Sequence, residues 1–274
     1  MTLSRGPWPA RCPWPVPRAG CGVALDLGSA RTRAWVAGRG LVLDVPTVTF
    51  PGAGAAYPIQ RGTIVDTPGT ARMLSRLLAH RLPRFGRPLV VITAPVLDGV
   101  AFRAQARTAL QVLRPRGVLT VPGARAVALG AGADLSRPLL VVDVGAQLTE
   151  VVLLADGAVV DARRTALGTG DLDTVAPAEI GGAVAAMVSA MERQDRTTLT
   201  ADALRRGALL AGGGALRPEI VHRLTGRLHT PLVPVAAPHT AAVRGAATLL
   251  RAARAHPSTG GPLPLRSPLR RPLR

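Results

Sequence analysis

The chain has 274 residues with 34 basic and 16 acidic side chains, a net charge of +18, and every basic residue is arginine. Its 47% hydrophobic content gives a largely globular chain of one or two domains, and its two cysteines, Cys12 and Cys21, exclude a disulfide framework and fit a reducing compartment. No apolar run reaches the ~18 residues of a spanning helix, and Ala19-Gly20-Cys21 follows Arg18 and five prolines rather than the apolar segment of a secretory signal, so a cytoplasmic location is expected.

Residues 1–20, MTLSRGPWPARCPWPVPRAG, are too proline-rich for a regular helix and read as a disordered segment. Trp8 and Trp14 among arginines suit a membrane surface, since indole favours the interface and arginine its anionic lipids. Short apolar runs then alternate with helical patterns, the signature of an α/β architecture. Strands are expected at 22–27, 33–37, 41–43, 88–93, 117–121, 139–143, 150–154, 158–161, 208–211 and 232–235. Helices are expected at 70–82, at 98–113 with Asp98 as N-cap, at 177–193 opened by Pro177, and at 217–228 and 239–254. Residues 255–274 repeat Pro-Leu-Arg and read as a disordered basic tail. Both ends could attract anionic lipid, nucleic acid or acidic protein.

An internal repeat organises the middle. At an offset of 117, VALDLGSARTRAWVAGRGLVLD (23–44) aligns without a gap on LVVDVGAQLTEVVLLADGAVVD (140–161). Asp26, Gly28, Thr32, Gly40 and Asp44 fall on Asp143, Gly145, Thr149, Gly157 and Asp161. Two copies of one strand-turn-strand-turn-strand unit imply two similar halves, 21–132 and 133–254, with an aspartate-bearing turn from each at a shared cleft. A pair of carboxylates can hold hydrated Mg²⁺ on nucleotide phosphates, which makes Asp26 and Asp143 the candidate metal residues. Gly28, Ser29 and Ala30 on one side, and Gly145 and Ala146 on the other, would offer backbone N–H groups to phosphate. In LLAGGGALRPEIVHRL (209–224), Gly212, Gly213 and Gly214 stand between a strand and a helix, where backbone can approach a nucleotide.

In this order the segments resemble the actin-like ATPases, and among them the bacterial rod-shape-determining MreB family. VALDLGSARTRAWVAGRGLVLDVPTVTF is similar to that family's first phosphate segment and LLVVDVGAQLTEVVLLADGAVV to its second. GARAVALGAG and AAVRGAATLL are similar to its two connecting helices, and LAGGGAL to its adenosine segment. The resemblance spans about residues 22–252 and implies a duplicated ribonuclease-H-like fold, two lobes around a cleft for ATP and Mg²⁺. It also adds Thr149 to the phosphate residues and implies a role in cell shape with cytoskeletal or cell-wall morphogenesis partners.

Departures from the family pattern are specific. Its catalytic acids fall on Pro122 and Gly123, which cannot orient water, so hydrolysis is expected to be impaired. Ala146 and Gln147 replace turn glycines, and Arg31 replaces a small polar residue, leaving a phosphate clamp or a solvent-facing side chain as alternatives. Only FPGAGAAYPI separates Thr49 from Gln60, and about forty residues separate Gly170 from Ala211, so both small outer subdomains of the family are expected to be missing. Weaker ATP binding and altered filament assembly follow. A nucleotide-independent scaffold of the same fold, docking to membrane or partner proteins, is the rival reading. A phosphotransferase lacks a base for its acceptor hydroxyl, and nucleic-acid binding lacks aromatics and a recognition motif.

Overall fold

The apolar runs VALDL and LLVVDV are buried along nearly their whole length, because each ends up in a sheet covered on both faces. The computed structural model describes residues 21–52, 54–82 and 87–256. The expectations for 1–20 and for 257–274 lie outside the described residues.

In the first half, β1 (Gly22–Leu27), β2 (Arg31–Val36) and β3 (Gly40–Pro46) form an antiparallel meander. A small hairpin follows, β4 (Ile59–Gln60) and β5 (Thr63–Ile64), then α1 (Thr67–Leu78), β6 (Leu89–Ala94), α2 (Gly99–Leu110), β7 (Gly117–Pro122) and α3 (Gly123–Gly130). The second half runs β8 (Leu139–Val144), β9 (Thr149–Ala155), β10 (Ala158–Thr165), α4 (Pro177–Gln194), α5 (Leu199–Arg206), β11 (Ala208–Ala211), α6 (Pro218–Leu228), β12 (Leu232–Pro234) and α7 (Ala241–Ala255). The two principal sheets have the orders β3-β2-β1-β6-β7 and β10-β9-β8-β11-β12. In each, three antiparallel strands are extended by two parallel ones. The repeat read at an offset of 117 is thus a duplication of topology.

Each repeated position has a structural reason. Gly40 and Gly157 take positive φ, +82° and +69°, at the second hairpin of their halves. Thr32 and Thr149 are fully buried: Thr32 shares a 2.9 Å hydrogen bond with Thr47, and Thr149 donates to the Leu167 carbonyl at 2.8 Å. These bonds tie each turn to the chain that leaves the third strand.

The helices do not divide as the strands do. α3 follows the first half but buries Ala124, Val127 and Ala128 with Leu139, Val141, Val152 and Leu154 of the second sheet. α7 closes the second half but buries Ala246, Ala247 and Leu250 with Ala24, Leu89 and Val91 of the first. A division at 132/133 therefore follows the sheets while each connecting helix covers the other half's sheet. The remaining faces are covered by α1 and α2 on one side and by α4 and α6 on the other.

Several boundaries shift for local reasons. α1 starts three residues earlier than periodicity suggests, since the Asp66 carboxylate accepts from Gly69 N at 2.7 Å and Pro68 suits the first turn. Asp98 stands at the N-cap position of α2, but in a left-handed conformation (φ +55°) with no side-chain cap; its carboxylate pairs with Arg164 of β10 instead. α5 escapes the periodicity reading because eight residues with few large apolar side chains leave little pattern. Between β3 and α1 there is one two-stranded hairpin, and between β10 and β11 the long elements are two helices.

α3 and α7 cross at van der Waals contact of their backbones. A Cβ on Gly245 would lie 1.7 Å from the Ala126 carbonyl oxygen, and one on Gly130 2.2 Å from that of Ala241. Gly245→Ala should cost about 3 kcal/mol or more, because backbone rather than a flexible side chain must move. Gly226→Ala, on an exposed position of α6 with nothing within 4 Å, should stabilise by about 0.5–1 kcal/mol. Thermal unfolding of the two variants measures both, and a mild Gly245→Ala would mean that the crossing is looser than described.

Candidate functional site

Both aspartate-bearing turns open onto one cavity of about 280 Å³. Of the residues singled out in the sequence, Asp26, Gly28, Ser29, Ala30, Arg31, Gly123, Asp143, Gly145, Ala146, Gln147, Gly212 and Gly213 line it. The two turns close alike: Gly28 N donates to Arg31 O at 3.0 Å, and Gly145 N to Leu148 O at 2.9 Å. Side chains at these glycines would meet those same carbonyls at 3.1 and 2.8 Å.

Two expected residues are elsewhere. Thr149 is buried behind its turn, its hydroxyl spent on Leu167, and Gly214 is packed against the Val144 side chain. The glycine run also does not feed directly into α6. A short 3₁₀ turn, Gly213–Leu216, intervenes, so the N-terminus of α6 does not line the cavity. Gly212 is the glycine that the geometry demands: at φ +81°, a Cβ there would sit 2.3 Å from Val144 O and 2.4 Å from an Asp143 carboxylate oxygen.

The carboxylates are not equivalent. Asp26 accepts from the Thr93 hydroxyl at 2.8 Å and faces a guanidinium nitrogen of Arg33 at 3.5 Å. Burial pushes the Asp143 carboxyl up to about 6, with the charge of Asp26 raising it further and Arg33 opposing the rise. The two acids thus feel one another across the cavity. Arg31, left open by the sequence, stands at the edge of the cavity with its guanidinium on β3, where it binds the carboxylate of Asp44 at 2.5 Å and its carbonyl at 2.6 Å.

Arg33 and Glu150 were not singled out in the sequence, yet both line the cavity. The repeat could have found them, since they are each other's equivalents at the offset of 117 and carry opposite charge. Arg33 sits directly across the sheet from Asp26, and Glu150 from Asp143. Glu150 is 8% exposed and accepts from Val96 N at 2.9 Å, in the loop after β6. Two further contacts join the halves here. Arg61, in the β4–β5 turn, donates its N–H to Gln147 Oε1 at 3.2 Å and its guanidinium to Ala166 O and Asp171, and Arg164 reaches Asp98. Gln147, which replaces a turn glycine of the family pattern, is therefore a point of attachment between the halves.

The donors present suit an anion better than a divalent metal. Two buried polar atoms without hydrogen-bond partners, Arg33 Nε and His239 Nδ1, belong to cavity-lining side chains. For Mg²⁺, the expected pair Asp26 and Asp143 shares a cavity, but Asp26 already faces an internal cation. Among the described residues no cluster of three or more acidic, His or Cys side chains is placed to hold a metal. The residues as arranged do not fit a carboxylate-held divalent ion.

Glu150 gives a pH test. Burial, chiefly, pushes its carboxyl from 4.5 up to about 7, with Asp143 raising it further while the Val96 and Leu97 N–H groups and Arg164 oppose the rise. A raised carboxyl pKa means that the folded state holds the proton more tightly, so stability falls as pH rises from about 4.5 to 7. Glu150→Gln removes that cost and keeps an acceptor for Val96. Each tenfold gain in proton affinity on folding is worth about 1.4 kcal/mol, so the variant should be more stable than the parent by about 3 kcal/mol at pH 8 and match it near pH 4. Denaturant titrations at the two pH values check this, and a gap independent of pH would contradict it.

The geometry agrees with the comparisons to known proteins. The family model for MreB/Mbl protein matches residues 51–180. The cell shape-determining protein MreB of Escherichia coli (strain K12) is 28% identical over 178 residues, covering 53% of this chain and 51% of the relative. The chain thus spans about half the length of the curated relatives it matches. Among solved structures, MreB5 of Spiroplasma citri bound to ADP superposes with a TM-score of 0.77 over 89% of this chain and 100% of that one, at 16% identity. The MamK double helical filament superposes with a TM-score of 0.71 over 86% and 99%, also at 16% identity. The chain has the actin-like fold and is similar in sequence and structure to MreB proteins.

Proposed function

We propose that this chain is an MreB-like component of cell-shape or cell-wall morphogenesis whose interlobe cleft binds an adenine nucleotide and hydrolyses it slowly or not at all. The observation that carries the reading is the convergence of two duplicated glycine turns and the Gly212–Gly213 turn on one cavity. MreB5, similar in fold, has been crystallised with ADP and with AMPPNP, which supports a nucleotide at this place. Phosphate would meet the N–H groups around Gly28, Ser29, Ala30, Gly145 and Ala146, and adenosine would lie towards Gly212, Gly213 and His239.

Slow hydrolysis follows from three placements. Pro122 and Gly123, at the β7–α3 junction, carry no acid. Of the three acids at the cavity, Glu150 is committed by its Val96 hydrogen bond to joining the halves, and Asp26 faces Arg33. Asp143, the third acid, lies against Gly212. Partners would be cytoskeletal or wall-morphogenesis proteins, with the arginine tails drawing the chain to an anionic membrane surface from the cytoplasm. No helix among the described residues is long and apolar enough to cross that membrane. Self-association belongs to the same proposal, since the MamK relative is a double helical filament.

A second reading, a scaffold that ignores nucleotide, is favoured by one feature: Arg61, Glu150 and Arg164 already join the halves without any ligand. Calorimetric titration with ADP decides between them. Gly213→Leu is the control, because a Cβ there meets nothing nearer than Thr169 Oγ1 at 3.9 Å, so the added side chain fills the cavity without disturbing the fold. The nucleotide reading predicts binding that this variant weakens by about tenfold or more at unchanged melting temperature. No heat for the parent chain at about millimolar ADP, near −4 kcal/mol of affinity, would favour the scaffold.

A further inference from the structure

The strand registers place Asp26, Arg33 and Asp44 in one row across β1, β2 and β3, and Asp143, Glu150 and Arg164 in the matching row across β8, β9 and β10. Asp26, Arg33, Asp143 and Glu150 from these rows line the one cavity. Its three acids would repel a phosphate chain, and the usual remedy is a divalent cation between them. Here one member of the first row is a cation.

Arg33 is held on both sides: Nη1 is 3.5 Å from an Asp26 oxygen and Nε 3.3 Å from an Asp44 oxygen, with the side chain 12% exposed. Its Nε is buried without a hydrogen bond of good geometry. The guanidinium cannot leave without taking from Asp26 its cationic partner, which is costly for partly buried charge, while Asp44 keeps Arg31. Magnesium, which gives up its waters reluctantly, would have to enter beside this fixed positive charge. A phosphate oxygen, by contrast, meets planar donors already in position.

We propose that Arg33 is the resident cation of the cleft, so that a nucleoside diphosphate binds against its guanidinium and the two glycine turns with no requirement for a divalent metal. This deepens the nucleotide reading above and rests on it. Asp26 and Asp143 then serve different ends: Asp26 positions Arg33, and Asp143 sets the polarity beneath Gly212.

The test is calorimetric titration of the full chain with ADP, once with excess EDTA and once with Mg²⁺. The expected affinities agree within about threefold. Arg33→Gln should weaken binding about tenfold or more in EDTA and recover part of it when Mg²⁺ is added, because Asp26 and Asp143 then face the cavity without a fixed cation between β1 and β3. Arg33→Lys keeps the charge and should remain indifferent to Mg²⁺, and it carries the comparison if melting curves show that Arg33→Gln does not fold. Binding by the parent chain that is about tenfold tighter with Mg²⁺ than with EDTA overturns the resident cation and leaves the nucleotide cleft standing. Unchanged affinity of folded Arg33→Gln in EDTA overturns it as well. Absence of ADP binding under both conditions removes the nucleotide reading itself, and the inference with it.

Discussion

The ion pair between Arg33 and Asp26 decides what this cleft can hold. Duplication of a strand-turn-strand unit brings equivalent aspartates, Asp26 and Asp143, to one cavity, and two acids at close quarters in a poorly solvated place need positive charge. In the second half, the position across from the aspartate is a third acid, Glu150. In the first half it is an arginine, clamped between Asp26 and Asp44. The duplicated backbone is symmetric, but the charge laid on it is not, and the asymmetry gives the cavity its own cation.

The same region holds the halves together. A flexible glycine turn would leave the second phosphate loop free to adapt, whereas Gln147 accepts from the Arg61 N–H and Leu148 packs against the β4–β5 turn at Gly62. Glu150 adds a bond to the loop after β6, and Arg164 another to Asp98. Behind the cavity, α3 and α7 cross at Gly130 and Gly245 with no room for a methyl group. Each connecting helix covers the opposite sheet, so relative motion of the sheets must pass through that crossing. Contacts at the front and close packing at the back restrict opening of the cleft from both sides.

Much of the fold was legible because duplication writes itself twice. Asp26, Gly28, Thr32, Gly40 and Asp44 recur in register, and the glycines and threonines have local structural reasons that hold in both halves, a tight turn or a hydroxyl bond to the chain beyond the third strand. Ten expected strands appear, the central ones because runs buried on both faces leave apolar stretches that periodicity can read. Elements that leave no such trace were missed: α5, too short and polar, and the β4–β5 hairpin, two residues a strand. Asp98 misled because its sequence neighbourhood suits a cap, while a distant arginine claims the carboxylate. The cleft was legible in its glycines and aspartates. Its cation was not, since Arg33 is one of 34 arginines and only strand register sets it beside Asp26. Thr149 and Gly214 lie outside the cavity lining for a related reason: proximity in sequence to a turn does not say which face a residue takes.

The relatives fix the frame for this account, an actin-like fold of MreB type, and the chain departs from it where charge and turn chemistry meet. The most direct measurement is a crystal structure of the full chain grown with ADP and Mn²⁺, with anomalous scattering recorded for manganese. The account predicts the diphosphate against the Arg33 guanidinium, Arg33 still paired with Asp26, and no manganese peak in the cleft. A manganese peak between Asp26 and Asp143, with Arg33 displaced from both, would contradict it.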